Sequence, residues 1–203
     1  MALTPLLQTV RELLRPQLLG AGTIELSEED PGSTIKPFKL ETSQPALVLR
    51  FDRIPHEGMS LDDRLFPLLN RTVTGLCVHC DYVILRQARG GASEPLYVLL
   101  VELKSGPNRG AQRQIESSRL LFDSALSLMR LTRKSAPWTD DIRYRGLIFT
   151  PQARPVAGDP KRVPCPYEAT SQAMSDVLFV RHPPCPGYQL DWFCSDGAAR
   201  PHR

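Results

Sequence analysis

The sequence lacks the features of a membrane or secreted protein. No apolar run approaches the length of a membrane span. The first residues include Arg11, Glu12 and Arg15 where a secretory signal peptide would have an uninterrupted apolar segment. The sequence also contains no internal repeat and no low-complexity tract. These absences predict a cytoplasmic protein with no membrane partner.

Cysteine is scarce, and its pattern argues against a disulfide framework. The chain has five cysteines, an odd number, and without an export signal they are expected to be reduced thiols. Cys77 and Cys80 have the spacing of a zinc hairpin, but in a strand they would face opposite sides, which is poor geometry for one metal. Buried free thiols are therefore the expectation.

The chain as a whole also lacks a large excess of charge of either sign. Its formal net charge is +3, with 23% charged residues, so no overall field predicts a nucleic-acid partner. One stretch is nevertheless rich in basic residues, namely Arg109, Arg113, Arg119, Arg130, Arg133 and Lys134. It could serve as a local phosphate-binding face, or it could simply be a solvated helix face.

The pattern of apolar residues predicts a mixture of helices and strands. Apolar residues at helical spacing from Leu3 to Leu18 predict an amphipathic N-terminal helix. A second, longer helix is predicted from about Ala111 to Lys134, with Ile115 and Phe122 on its buried side. Strands are predicted at 46–51, 76–87, 96–106 and 144–150, and further strands could lie at 176–181 and 188–193.

This order of elements predicts a single α/β domain over residues 1–195. With 203 residues, of which 41% are hydrophobic, the chain is long enough for one domain with a sizeable core. The sheet should be mixed and central, flanked by helices, with the core of the domain in residues 46–150. Residues 196–203 are expected to form a flexible tail.

The most informative stretch is a predicted β-hairpin that ends in charged residues. The strand "VLLVELKSG" at 98–106 runs from apolar residues into Glu102 and Lys104. Folding the chain about a turn at Gly91 and Ala92 places Asp81 directly opposite Glu102. Opposite side chains of an antiparallel pair share a face, with Cβ atoms about 4.5–5.5 Å apart. A bulge or a longer turn would shift this register.

Two carboxylates so close together suit a divalent cation. Oxygen ligands of this kind are typical of Mg²⁺ or Mn²⁺, which take one or two carboxylates and keep several waters. Lys104 could orient or deprotonate an attacking water and offset charge on a phosphate. Together these groups could hydrolyse a phosphodiester. The alternative is that Glu102 and Lys104 form a surface ion pair worth about 0–1 kcal/mol.

At these residues the chain resembles the PD-(D/E)XK nuclease superfamily, which has the restriction-endonuclease-like fold. The motif of that family is an Asp on one strand and Glu-x-Lys on the next, followed by a helix, and Asp81, Glu102 and Lys104 match it. Cys80 stands where the family name has Pro. Many members carry a polar residue on the following helix, for which Gln114 is the preferred candidate and Gln112 a close second.

The resemblance implies an α-β-β-β-α-β core and a Mg²⁺- or Mn²⁺-dependent deoxyribonuclease. It covers residues 76–150 best. Asp81 and Glu102 would hold the metal, Lys104 would serve the water and the phosphate, and Gln114 would position Lys104 or the water. DNA is favoured over RNA only through the resemblance.

Partners and further ligands follow from the resemblance in the same way. Phosphate contacts are expected from Arg109, Arg113 and Arg119. Several members add an upstream acid, for which the candidates are Glu12, Glu57, Asp62 and Asp63. Homodimers and larger complexes both remain open. The alternative function is a silent or partner-activated nuclease-fold subunit that binds nucleic acid or protein in a larger complex, such as one for defence.

Overall fold

The computed structural model describes eight segments of the chain: residues 3–14, 18–28, 31–50, 78–87, 94–105, 110–151, 177–182 and 188–194. The helices are α1 (Pro5–Leu13), α2 (Ala111–Thr132) and the short α3 (Leu190–Phe193). The strands are β1 (Leu18–Leu26), β2 (Phe38–Arg50), β3 (Tyr82–Gln87), β4 (Leu96–Leu103), β5 (Ile142–Phe149), β6 (Val177–His182) and β7 (Tyr188–Gln189).

These elements form a mixed α/β fold around one open sheet, as predicted. The strand order is β1-β2-β3-β4-β5-β6, and β7 pairs separately with β2. Strands β1 to β4 are antiparallel neighbours, whereas β4, β5 and β6 run parallel. Helix α2 connects β4 to its parallel neighbour β5, as a parallel pair requires a long crossover. The site strands β3 and β4 therefore lie in the middle of the sheet, where both edges of each are paired.

The sheet buries a separate apolar cluster on each face. Alternating residues of β3 and β4, among them Val83, Val98 and Leu100, pack against α1 and α2. The residues between them pack on the other face with Phe149 and Tyr188. Because both faces are covered, β3 and β4 are buried along their whole length, which explains why their sequences read as continuous apolar runs.

Helix α2 follows the sequence pattern closely. It begins after Gly110, which lies in the left-handed region at φ 86°, a conformation that glycine adopts at little cost. Ala111, Ile115 and Phe122 are buried as predicted, and Ser118 is buried among them. In the described part of the chain, no helix is long and apolar enough to cross a membrane.

The N-terminal third differs most from the prediction. The first helix ends at Leu13, and Leu18 begins strand β1 instead of extending that helix. Pro16 explains the early end, because its ring and missing N–H interrupt a helix. Residues 20–45, which are rich in Gly, Ser, Thr and Pro and contain short strand-like pieces such as "TIEL", supply much of the β1–β2 hairpin.

The later predicted elements agree with the structure, agree with it in part, or lie outside the described residues. The strands predicted at 144–150 and 176–181 are present as β5 and β6, with bounds shifted by one or two residues. The segment 188–193, predicted as a strand, is two residues of strand followed by a helical turn. The predicted tail at 196–203 lies outside the described residues.

Candidate active site

The hairpin register brings Asp81 and Glu102 together. Tyr82 pairs with Val101, and the same register continues to Gln87 and Leu96. The predicted register is therefore confirmed for the six pairs from Tyr82 to Gln87, and the same register continued by one residue would place Asp81 opposite Glu102. The Leu103 N–H donates a hydrogen bond of 2.7 Å to Asp81 Oδ2, so the aspartate also ties the ends of the two strands together.

Glu102 is a buried carboxylate with one free oxygen. It is only 1% exposed, and by strand alternation it shares a face with Val98 and Leu100, which pack against α2. Its Oε1 lies 2.6 Å from Lys104 Nζ, whereas its buried Oε2 has no hydrogen-bond partner. A buried oxygen without a hydrogen-bond partner lowers the stability of the folded state. Such an atom is therefore suited to binding a ligand.

Electrostatics at this site favour the protonated acid. Burial, followed by the nearby charge of Asp81, raises the pKa of Glu102 from 4.5 to about 8, although the hydrogen bond and charge of Lys104 and a backbone hydrogen bond with Asp81 act to lower it. The charge of Asp81 is thus one of the causes of the raised pKa of Glu102. Without a cation they repel each other, and one of them takes up a proton.

Helix α2 holds the segment that leads into Asp81. Gln114 Nε2 donates to the His79 carbonyl oxygen at 3.1 Å, and the Cys80 N–H donates to Ser118 Oγ at 2.7 Å. Gln114 thus contacts the segment before Asp81, and this hydrogen bond fixes the backbone there. Its predicted action on Lys104 or on a water stays a prediction.

Ser118 was missed by sequence reasoning, although a signal for it exists. It is a small polar residue on the buried stripe of α2, between Ile115 and Phe122. A serine in that position must satisfy its hydroxyl inside the core. The hydroxyl does so by accepting the hydrogen bond from Cys80, whose thiol is also buried and has its pKa raised by that burial.

The predicted phosphate-binding arginines differ in their surroundings. Arg113 is exposed on the first turns of α2. Arg119 lies over the Tyr144 ring, with its guanidinium carbon 5.4 Å from the ring centroid. Its Nη2 atom lies 3.5 Å from Asp123 Oδ2. Arg113 is therefore the better placed of the two for a phosphate, and Arg109 lies outside the described residues.

Of the four upstream acids considered for the site, Glu12 alone belongs to the described residues. Glu12 is exposed on α1, where its Oε1 accepts a hydrogen bond from Gln8 at 3.4 Å. Glu57, Asp62 and Asp63 lie outside the described residues. Among the residues that the structure does describe, no group of three or more His, Cys, Asp or Glu side chains could hold a metal ion.

The two carboxylates nevertheless fit Mg²⁺ or Mn²⁺. The Glu102 Oε2 offers one ligand atom, and the second candidate ligand is Asp81, which acts on the charge of Glu102 and accepts the Leu103 N–H through Oδ2. Mg²⁺ commonly uses one or two carboxylates and completes its shell with water or substrate oxygens. Two carboxylates would therefore suit an ion whose other ligands are water or substrate oxygens. They are too few for an ion that is coordinated by protein atoms alone.

Comparison of the chain with protein-family models, with curated proteins and with solved structures found no match. The functional argument accordingly depends on the residues Asp81, Glu102 and Lys104 and on the geometry that surrounds them.

Proposed function

We propose that the chain is a Mg²⁺- or Mn²⁺-dependent nuclease that hydrolyses phosphodiester bonds of DNA. The observation that carries this proposal is the meeting of Asp81 and Glu102 at the paired ends of β3 and β4, with Lys104 bound to Glu102. A surface ion pair would not explain a glutamate that is 1% exposed and retains an unpartnered oxygen. That burial argues against the simpler interpretation of Glu-x-Lys.

The order and direction of the elements support the same proposal. Helix α1, strands β2 to β4, helix α2 and strand β5 follow one another in the order α-β-β-β-α-β, with β1 inserted before β2. The first three of these strands are antiparallel, and β5 is parallel to β4. This order supports the proposal, because the resemblance to the PD-(D/E)XK family implies an α-β-β-β-α-β core.

Each residue then has a defined task. Asp81 and Glu102 would hold the metal ion, which when bound supplies a Lewis acid for the phosphate and a more acidic water. Lys104 would orient the attacking water and place a positive charge beside the phosphate oxygens. Gln114 and Ser118 keep Asp81 in place through the backbone of residues 79 and 80. Arg113 would contact a flanking phosphate.

The first test is cleavage of plasmid and linear DNA with Mg²⁺ or Mn²⁺, with RNA of matched sequence as a second substrate. Asp81→Asn should abolish cleavage, and Lys104→Ala should lower its rate about 10²–10⁴-fold. Asp140→Asn is a matched control, because Asp140 is fully exposed. Cutting at an unchanged rate by both site variants would defeat the proposal, and preferential cutting of RNA would replace DNA as the substrate.

A second candidate function is a nuclease-fold subunit that is silent alone and binds nucleic acid or protein in a larger complex. It is favoured by the raised pKa of Glu102, since a protonated acid carries no charge that calls for a metal, and by the close pairing of one of its oxygens with Lys104. Calorimetric titration with Mn²⁺ separates the two. Binding by the wild-type chain that is lost in Asp81→Asn supports the nuclease, whereas no heat at millimolar metal supports the silent subunit.

A further inference from the structure

The connection between β1 and β2 contacts both arms of the site hairpin. Ser27 N–H donates to the Tyr82 hydroxyl at 3.0 Å, and that hydroxyl donates back to the Ser27 carbonyl at 2.7 Å. Ser105 Oγ donates to Glu28 Oε2 at 2.8 Å. Thr34 Oγ1 donates to the Ser105 carbonyl at 3.3 Å. One short connection therefore holds Tyr82 on one strand and Ser105 beyond the end of the other.

The two residues held in this way are the chain neighbours of site residues. Tyr82 follows Asp81, and Ser105 follows Lys104. Tyr82 packs in the cluster on the face opposite to α2, whereas Glu102 lies on the α2 face. The Lys104 N–H still donates to the Phe149 carbonyl at 2.9 Å, so strand pairing reaches Lys104. Fixing Ser105 fixes the backbone from which the Lys104 side chain extends.

Glu28 is the central residue of this contact. Its Oε2 accepts hydrogen bonds from both Ser105 Oγ and Ser33 Oγ. The Ser33 hydroxyl in turn accepts the Ile35 N–H at 3.0 Å. A carboxylate that accepts two hydroxyl hydrogen bonds makes stronger contacts than a neutral acceptor would. Glu28 thereby joins the β1–β2 connection to the residue after Lys104.

We propose that Glu28 is a positioning residue that sets the place of Lys104 relative to Glu102 by holding Ser105. The inference rests on the proposed function, because the value of placing Lys104 lies in its action on a water or a phosphate. Glu28 itself touches neither Lys104 nor Glu102 in any contact described above. Its effect passes through the backbone of residues 104 and 105.

The test compares Glu28→Ala, Glu28→Gln and Ser105→Ala with wild type. Glu25→Ala is the matched control, since Glu25 is an exposed acid on β1. Glu28→Ala should lower kcat about tenfold with little change in KM, because a misplacement of less than about 1 Å at a reacting group already costs rate. Glu28→Gln should restore most of the loss, since its amide oxygen still accepts from Ser105, and Ser105→Ala should reproduce it.

The second readout does not need activity. The rate at which an amine-acylating reagent modifies Lys104, followed by mass spectrometry of the native protein, should rise several-fold in Glu28→Ala and Ser105→Ala but not in Glu28→Gln. If kcat and Lys104 acylation are both unchanged in Glu28→Ala, or only the melting temperature falls, the positioning role is wrong. A wild-type chain that cuts no DNA would remove the proposed function, while the acylation rates would still decide whether Glu28 places Lys104.

Discussion

At the scale of single residues, the unusual group is Glu102, a nearly inaccessible acid whose carboxyl oxygens have different surroundings. One oxygen pairs with Lys104 and the other has no partner. Burial of a carboxylate is unfavourable unless its charge is compensated. Because one lysine compensates only part of that cost, the pKa of Glu102 is raised to about 8.

This pKa predicts how stability depends on pH in metal-free buffer. In the folded state Glu102 keeps its proton up to about pH 8, whereas in the unfolded chain it loses that proton near pH 4.5. Between these values the folded state binds more protons, so the free energy of unfolding falls as pH rises, by at most about 1.4 kcal/mol per pH unit. Glu102→Gln, a neutral variant of the same shape, should lack this component.

The measurement is urea unfolding of wild type and Glu102→Gln with EDTA from pH 5 to pH 9. The variant should gain stability relative to wild type as pH rises through this window, and the difference should level off above pH 8. Saturating Mn²⁺ should bring back wild-type stability at high pH, since a bound cation favours the charged form. A constant difference between the two proteins across the window would contradict the raised pKa.

At the scale of elements, the contact between α2 and the segment before β3 decides where Asp81 lies. This contact consists of one side-chain hydrogen bond from Gln114 and one to Ser118. Both reach the backbone of residues 79 and 80, which precede strand β3. The helix therefore adds to the support that the Leu103 N–H gives to Asp81 from strand β4.

Ser118→Ala should be destabilising out of proportion to its size. It would leave the buried Cys80 N–H without an acceptor, at a cost of about 1–3 kcal/mol in the free energy of unfolding. Ser117→Ala, a half-buried neighbour on the same helix, should change stability by less than about 0.5 kcal/mol. Urea denaturation measures both, and an equal effect of the two substitutions would show that the Cys80 contact contributes little.

At the scale of the whole molecule, the two sheet faces have different coverings. Helices α1 and α2 cover one face. On the other, Phe149 lies at the centre of an aromatic group, with ring centroids 4.6 Å from Phe38, 5.6 Å from Tyr188 and 6.4 Å from Phe193. This group joins elements that are far apart in sequence, because Phe38 begins β2 and Phe193 ends α3.

Truncation of Phe149 should therefore loosen elements that are far apart in sequence. Phe149→Ala is expected to lower the free energy of unfolding by about 3–5 kcal/mol, through lost burial and the cavity left behind. Leu131→Ala is the control, since Leu131 is 67% exposed on α2 and should change stability by less than about 0.5 kcal/mol. Equal midpoints for the two variants in urea would contradict the packing of this face.

Several features of the fold and the site could be predicted from local pattern alone. The apolar runs of 82–87 and 96–103 pair in the predicted register, which brings Asp81 near Glu102. The apolar period of 111–132 set the helix that follows. The residue types Asp, Glu and Lys at that spacing indicated the candidate chemistry, which remains a prediction. These signals come from residues that are close in sequence or that belong to one hairpin. At that range the spacing of apolar side chains predicts helices and strands directly.

Other features were decided only by tertiary structure. Leu18, predicted as the end of the first helix, begins a strand because β2 offers that strand a partner, which the local sequence does not reveal. The burial that raises the pKa of Glu102 depends on its covering by separate elements. The contact of Glu28 with Ser105 spans 77 positions in sequence. The sequence by itself determined the hairpin and the residues at its end, whereas only the folded chain determined their burial, because solvent exclusion and contacts between distant segments arise from packing of the whole molecule.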